Sequence, residues 1–359
     1  QSVAYDVFLG YDAGNYILRS AVNDISGVEG NASAAEDLFG MGFFDIPSVE
    51  EARANVNAAT GEIFASVAHV QTQRMTYLNQ MITNRTRNLQ TCDSCPCDAS
   101  RPNLWFSSYG LGGSAGMHDN FMDYDYTSWG MMLGAEFVND FSRLGFHYAY
   151  GQTETESAQS ALNSDDHTFG AYFQWQNRYL GGYSHLAGSF SFSDNEASRH
   201  YLGNAFRNDY DSWMGLLHYE KGWETVLGSF AVVNPYISLQ YMRYDADDFA
   251  DATLAIRDNT YDSLRSAIGF RVTKNLHALC LTGGLAWRHE WLDSNASFTA
   301  TTANGSATIF GNGTGRDWAE LNLGVQYSFA RLTLSGDYYL FANGDNTLHA
   351  GMGTLTFQF

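Results

Sequence analysis

Proline and lysine are nearly missing from this chain. Its 359 residues include four prolines and only two lysines, Lys221 and Lys274. With so few prolines, long stretches of backbone can keep unbroken ladders of hydrogen bonds, as long central strands require. The formal net charge of −20 leaves no basic face to neutralise a row of phosphates, which excludes nucleic acid as a partner. No run of 18 apolar residues occurs, so a conventional transmembrane helix is excluded as well. The sequence starts at Gln1 without a charged and apolar leader, so any signal peptide has been removed or lies upstream. No arrangement of nucleophile, base and orienting acid stands out, and no cofactor is implied.

Aromatic residues are abundant, at 15% of the chain, and there are 35 glycines. That composition suits one large barrel with an extension better than two or three soluble domains. The hydropathy pattern points the same way. At the C-terminus Leu355, Phe357 and Phe359 alternate with Thr354, Thr356 and Gln358, giving one face for hydrocarbon and one for water. The same period of two recurs at Leu321, Leu323, Val325, Tyr327 and Phe329, and again at Leu144, Phe146, Tyr148 and Tyr150. Twelve strands follow from it, near 104–113, 125–137, 142–155, 167–177, 180–193, 210–222, 230–244, 261–273, 279–293, 316–328, 331–342 and 347–359.

Short connections follow the even-numbered strands and long ones follow most of the others, as in a transmembrane barrel with short turns at one end. The longest connection, from about Ser294 to Gly315, is rich in Asn, Thr, Gly and Ala and reads as a mobile loop. The predicted fold is all-β and transmembrane, a 12-stranded antiparallel outer-membrane barrel. A soluble sandwich would use strands of five or six residues, much shorter than these.

From Ser48 to about Leu89 there is no proline and a single glycine, Gly61. Ser48 with Glu51 forms a capping box, and Ile63, Val67, Val70, Leu78, Met81 and Ile82 form a broken apolar stripe among Gln, Asn and Arg. The expectation is one helix of about 60 Å, too polar for lipid and well suited to a twelve-strand lumen. Its charged members are Glu62, Arg74, Arg85 and Arg87; alternation assigns Glu136, Arg143, Arg265, Arg271, Glu290, Glu320 and Asp337 to the lumen wall. His147, His185 and His218 fall on lumen faces too, and His289 faces outward beside Glu290 and Asp293. Ahead of the helix, Val3 to Leu9 reads as a strand and Tyr16 to Ser26 as a short helix.

Three segments resemble the translocator unit of the monomeric autotransporters, the type Va secretion system. They are Thr60 to Val67, where linker meets barrel; Asn234 to Tyr241 with Asp262 to Gly269, a central strand pair; and the terminal Thr356 to Phe359. The resemblance implies a passenger domain upstream, drawn out through the barrel and leaving the linker helix in the pore. It divides the chain into the end of a passenger at 1–47, a pore helix with its connection at 48–100 and a barrel at 101–359. The implied partners are the protein's own passenger, outer-membrane lipid and lipopolysaccharide, periplasmic chaperones and the barrel-assembly machinery, which reads Leu355, Phe357 and Phe359. The chain is expected to act as a monomer, with its N-terminal part at the cell surface. Self-cleavage, known in part of the family, uses paired asparagines that Asn55 and Asn57 do not provide. The rival readings are a porin plugged by a helix and an outer-membrane barrel enzyme.

The four cysteines do not belong to that resemblance. Cys92, Cys95 and Cys97 cluster between helix and first strand, and Cys280 lies at the same end of the barrel. An oxidising periplasm favours disulfides, with one bond inside the cluster and one to Cys280; a zinc site on the C-x-x-C-x-C spacing is the alternative.

Overall fold

The computed structural model describes residues 7–12, 15–20, 31, 34, 38, 39, 49–91, 101–116, 121–139, 141–176, 182–201, 203–228, 231–313 and 315–359. Twelve long strands form the barrel: β1 Arg101–Ala115, β2 Tyr124–Val138, β3 Ser142–Ser157, β4 Ser160–Gln176, β5 Tyr183–Tyr201 and β6 Asn204–Gly222. The second half is β7 Ala231–Ala246, β8 Ala255–Leu276, β9 Leu279–Glu290, β10 Asp317–Phe329, β11 Leu332–Ala342 and β12 Asn346–Gln358. Each pairs antiparallel with its sequence neighbour. β12 returns to β1 in a register from Asn346 opposite Ala115 to Gln358 opposite Asn103, which closes the sheet and leaves no edge between them.

The closed wall has two chemistries because its side chains alternate. On β2, Trp129, Met131, Leu133 and Phe137 are each more than half exposed on the outside, while Ser128, Met132 and Glu136 between them are buried inside. Such an apolar belt around the circumference is stable facing hydrocarbon, and in water it would drive association. Arg101 and Phe359 lie together at the inner end, where the Phe359 amide donates to the Pro102 carbonyl at 3.4 Å. The short connections 277–278 and 330–331 are at this same end.

All twelve predicted strands are present, but the outer end differs from expectation. β3 with β4, and β5 with β6, run past the apolar belt; β3 passes to β4 over 158–159, and β5 and β6 extend to Tyr201 and from Asn204, where long loops were expected. Beyond the belt the outward face is polar while the inward face, as at Thr155, Ser164, Asn195 and Arg199, stays buried, so the hydropathy alternation that marked these strands is lost although the ladder continues. The segment 294–315 is not the loop read from its composition. Ser297–Thr301 and Ser306–Phe310 pair as a hairpin, and the first of them adds to the outer part of β8. The hairpin turns Phe298, Ala300 and Ile309 inward, where they are buried.

The predicted single helix is two. α1 Val49–Thr60 and α2 Glu62–Thr91 meet at Gly61, which has a φ of +77°. Only glycine takes that left-handed conformation without strain, and it ends α1 by donating its amide to the Asn57 carbonyl at 3.1 Å. The capping box at Ser48 lies outside the described residues. Further upstream, Val7–Asp12 and Asn15–Ser20 form a two-stranded hairpin. The helix expected over Tyr16 to Ser26 is therefore a strand in its described part, where Tyr16 pairs opposite Tyr11 and Leu18 opposite Leu9.

Candidate functional site

α2 occupies the barrel lumen. Every residue from Gly61 to Arg87 is buried, although this stretch carries glutamines, asparagines, threonines and three arginines. A helix so polar on all sides can be buried only if its surroundings answer its side chains one by one. Lumen-facing groups from most of the barrel strands answer many of them, although among the described residues Tyr77 Oη and Gln80 Oε1 are buried without a hydrogen-bond partner.

At the outer end, the Glu62 carboxylate accepts from Asn31 Nδ2 at 2.9 Å and from the Met122 amide at 3.0 Å. Phe64 enters an aromatic cluster with Phe249 at 4.8 Å, Tyr210 at 5.9 Å and Phe298 of the hairpin at 6.3 Å between ring centres. The hairpin stays close: the Ala296 amide donates to His69 Nε2 at 3.1 Å, and Asn312 Nδ2 donates to the carbonyls of Gly116 and Met122. A Cβ on Gly311 would stand 2.7 Å from the Ser66 nitrogen, so glycine is what permits this approach to the helix backbone. Arg199 closes α1 by donating to the Ala58 carbonyl at 2.8 Å and the Ala59 carbonyl at 3.0 Å, and it is itself paired with Asp251.

The middle of α2 is held by wall groups of β4, β5, β7 and β8. Arg74 Nε is 3.3 Å from Asp166, its Nη2 donates to Ser191 Oγ at 2.7 Å, and Gln71 Nε2 donates to the same aspartate at 3.0 Å. Gln240 Nε2 donates to Thr76 Oγ1 at 2.8 Å, and Arg265 reaches Gln73 and Thr76 while paired with Glu290 at 3.0 Å. Tyr77 packs edge-on against Tyr339 at 5.6 Å and Tyr109 at 6.2 Å. Nearer the inner end, Asn84 Nδ2 donates to Asp337 at 2.6 Å, and Arg85 spans Glu136 at 2.7 Å and Thr356 Oγ1 at 2.6 Å. Arg87 forms a bidentate pair with Glu220, and Arg143 Nη1 donates to the Thr86 carbonyl at 3.3 Å.

The four helix residues singled out from sequence thus lie in the lumen. Of the wall residues, Glu136, Arg143, Arg265, Glu290 and Asp337 contact α2 or its partners, whereas Glu320 pairs with Arg288 of the wall at 2.6 Å. Arg271 is buried on the same inner face. The sequence reading missed Asp166, Glu220, Arg288 and Arg199. Glu220 shares the register of His218, two residues away, so its inward position could have been found. Asp166 precedes the point at which β4 was expected to begin.

His147, His185 and His218 are buried on the inner face, with His185 Nδ1 3.4 Å from Thr86 Oγ1. His289 lies 2.8 Å from Asp317 on the outer wall between Trp287 and Trp291. Among the described residues no group of three or more His, Cys, Asp or Glu side chains could hold a metal ion. Cys280 is buried on the inner face and is disulfide-bonded. The expected pairing falls on Cys92, Cys95 and Cys97, which lie outside the described residues. Leu355 and Phe357 face outward on β12, Phe359 is exposed just past its end, and Thr356 between the first two faces the helix.

The model of the autotransporter beta-domain family matches residues 104–339. Solved structures with the same fold include the translocator domain of the autotransporter NalP from Neisseria meningitidis, with a TM-score of 0.65 at 13% identity over 81% of this chain and 99% of that one. The transport unit of AIDA-I from Escherichia coli superposes with a TM-score of 0.57 at 13% identity, over 86% of this chain and 99% of that one. The beta domain of the Bordetella autotransporter BrkA gives 0.54 at 15% identity, over 73% and 100%. Among curated proteins, an extracellular serine protease of Serratia marcescens is 25% identical over 335 residues, 86% of this chain and 31% of the relative. The chain therefore spans about a third of the length of the curated relatives it matches.

Proposed function

The chain belongs to the autotransporter beta-domain family, and from that premise we propose that it anchors and exports its own upstream passenger domain, leaving α2 in the pore. The observation that carries this reading is the complete burial of a polar helix from Gly61 to Arg87 inside the barrel. A side-chain lining of alternating acids, amides and arginines offers hydrated, exchangeable partners to a passing chain and no continuous apolar surface to arrest it. In this reading residues 1–47 are the end of the passenger, 48–100 the pore helix and its connection, and 101–359 the translocator. The N-terminal part then lies at the cell surface. The protease named in the Serratia relatives is a property of those proteins; this chain's share of the task is transport rather than catalysis.

The exposed Leu355 and Phe357 of β12, with the terminal Phe359, serve as the signal read by the barrel-assembly machinery. Phe359→Ser is expected to lower the amount of heat-modifiable, membrane-inserted protein, and unchanged amounts would count against that role.

The experiment places an epitope ahead of Gln1, behind a signal peptide, and treats intact cells with protease. Loss of the epitope with a resistant barrel is the expected result. An epitope protected in cells that carry a correctly inserted barrel would overturn export and favour a helix-plugged porin.

A further inference from the structure

Three buried carboxylates of the wall find guanidinium partners on the helix: Asp166 with Arg74, Glu136 with Arg85, and Glu220 with Arg87. The other wall acids in ion pairs are served by the wall itself, Glu290 by Arg265 and Glu320 by Arg288. Glu136 has a second, looser wall partner in Arg143 at 3.9 Å. Asp166 and Glu220 are different. Among the described residues their wall donors are hydroxyls only: Thr153 at 2.7 Å and Ser193 at 2.5 Å for the first, Tyr183 at 2.7 Å for the second.

We propose that Asp166, Glu136 and Glu220 form a charge-coded stop that fixes where the exported chain halts, with Arg74, Arg85 and Arg87 as the positioning residues it reads. The inference rests on the export reading given above and adds what sets its end point. While a chain is passing, the lumen is wet and the three carboxylates are hydrated. When α2 settles and water leaves, each must meet a cation, because a buried charge left without a partner is strongly disfavoured.

Between Glu62 and Thr91 the helix carries three formal cations, the arginines, and no acid other than Glu62. Arg74 and Arg85 are eleven residues apart, about three turns and roughly 16 Å along the axis, on nearly the same face. Arg87 is turned about 200° from Arg85, toward the opposite wall. Pairs on two opposed faces fix rotation as well as depth, and a slip of one turn, about 5.4 Å, would break all three. The other polar helix residues, Gln71, Gln73, Thr76, Asn79, Gln80 and Asn84, are amides and hydroxyls that can find partners in several registers. Registry is the best-attested use of buried ion pairs.

A competing control on depth is the length of chain joining Thr91 to Arg101. The test distinguishes the two. In the full chain, Tyr77 is replaced by the photoreactive p-benzoylphenylalanine, whose native neighbours are Tyr109 and Tyr339. Crosslinked positions are mapped by mass spectrometry on membrane-inserted protein, with heat-modifiable mobility as the check that each variant's barrel is assembled.

A Gly–Ser insert of about eight residues between Thr91 and Arg101 adds up to roughly 25 Å of reach. If the charges set the stop, crosslinks stay at 109 and 339; if they move to outer-end positions, the tether sets it and the proposal fails. The triple variant Arg74→Gln, Arg85→Gln, Arg87→Gln is expected to lower crosslinking at those two positions about tenfold or more. An unchanged yield would overturn the proposal. Arg74→Asp is expected to reduce crosslinking and the pair Arg74→Asp with Asp166→Arg to restore it, a rescue that a merely structural role for Arg74 does not predict. An epitope ahead of Gln1 is followed in the same cells. A surface epitope with scattered crosslinks in the insert variant sinks the stop and leaves export standing, whereas a protected epitope sinks export itself.

Discussion

The two halves of α2 are held by different physics. From Ile63 to Val70 the helix packs by shape, with Phe64 among Tyr210, Phe249 and Phe298 and the hairpin backbone against Ser66. From Gln71 to Arg87 it is held by charge and hydrogen bonds, with a buried ion pair at Arg74, Arg85 and Arg87. Apolar packing excludes water but accepts sliding, because one methyl group replaces another at little cost. Buried ion pairs add little net stability but reject every register except their own. The outer half therefore acts as a seal and the inner half as an address.

The largest expected effect is on the address. Arg87→Met leaves Glu220 buried with only a tyrosine donor and should weaken helix docking by about 3–5 kcal/mol. It would be read as a lower urea concentration at which the helix becomes protease-sensitive, with the barrel's heat-modifiable mobility unchanged. A docking stability equal to that of the parent would mean that the inner half is held by its amides instead.

Next comes the seal. Phe64→Ala empties an aromatic cluster and should cost roughly 3 kcal/mol. The loss should be confined to the outer half: faster hydrogen exchange in Ser297–Phe310 while the Tyr77 contacts persist. Uniform loosening of the whole helix would erase the distinction between the halves.

The smallest effect is a pH dependence at the outer end. Burial pushes the Asp251 carboxyl up, but Arg199 and hydrogen bonds from Thr253 and Leu254 outweigh it and hold the group below its usual value of 3.8. A depressed carboxyl contributes stability that is present above its unfolded pKa and lost as pH falls through the folded one. The clasp on the Ala58 and Ala59 carbonyls should therefore loosen only below the ordinary carboxylate range. In Asp251→Asn that acid-dependent part of α1 exchange should vanish, and persistence of the same pH profile would assign it to another group.

How much of this was legible depended on which environment wrote the sequence. The strands could be read where lipid faced one side and water the other, as at Leu323, Val325, Tyr327 and Phe329, because hydrocarbon tolerates no polar residue in that register. Past the belt the outward residues are polar too, as at Glu154, Glu156 and Glu196 beside the buried Thr153, Thr155, Ala197 and Arg199, so the hydropathy alternation disappears; β4 then reads as beginning at 167 and β5 as ending at 193. The hairpin at 297–310 was hidden by its Thr and Ala composition. Its meaning lies in three inward residues, Phe298, Ala300 and Ile309, that matter only once Phe64 is placed opposite them.

The helix was legible as a polar rod and its arginines as lumen candidates. Which acids would meet them was not, because a lumen contact joins residues such as Arg87 and Glu220, 133 positions apart in the sequence, through the barrel's curvature. The break at Gly61 was signalled by the one glycine in the segment, and only the left-handed backbone there turned that signal into two helices.

The measurement that bears most directly on a helix filling the pore is single-channel conductance in planar bilayers, comparing the full chain with a variant lacking residues 1–90. Small, rare openings are expected for the full chain and a large, steady aqueous conductance for the truncated barrel. Equal conductance from two correctly assembled proteins would show that α2 does not occupy the lumen in a membrane, and would contradict both the seal and the address.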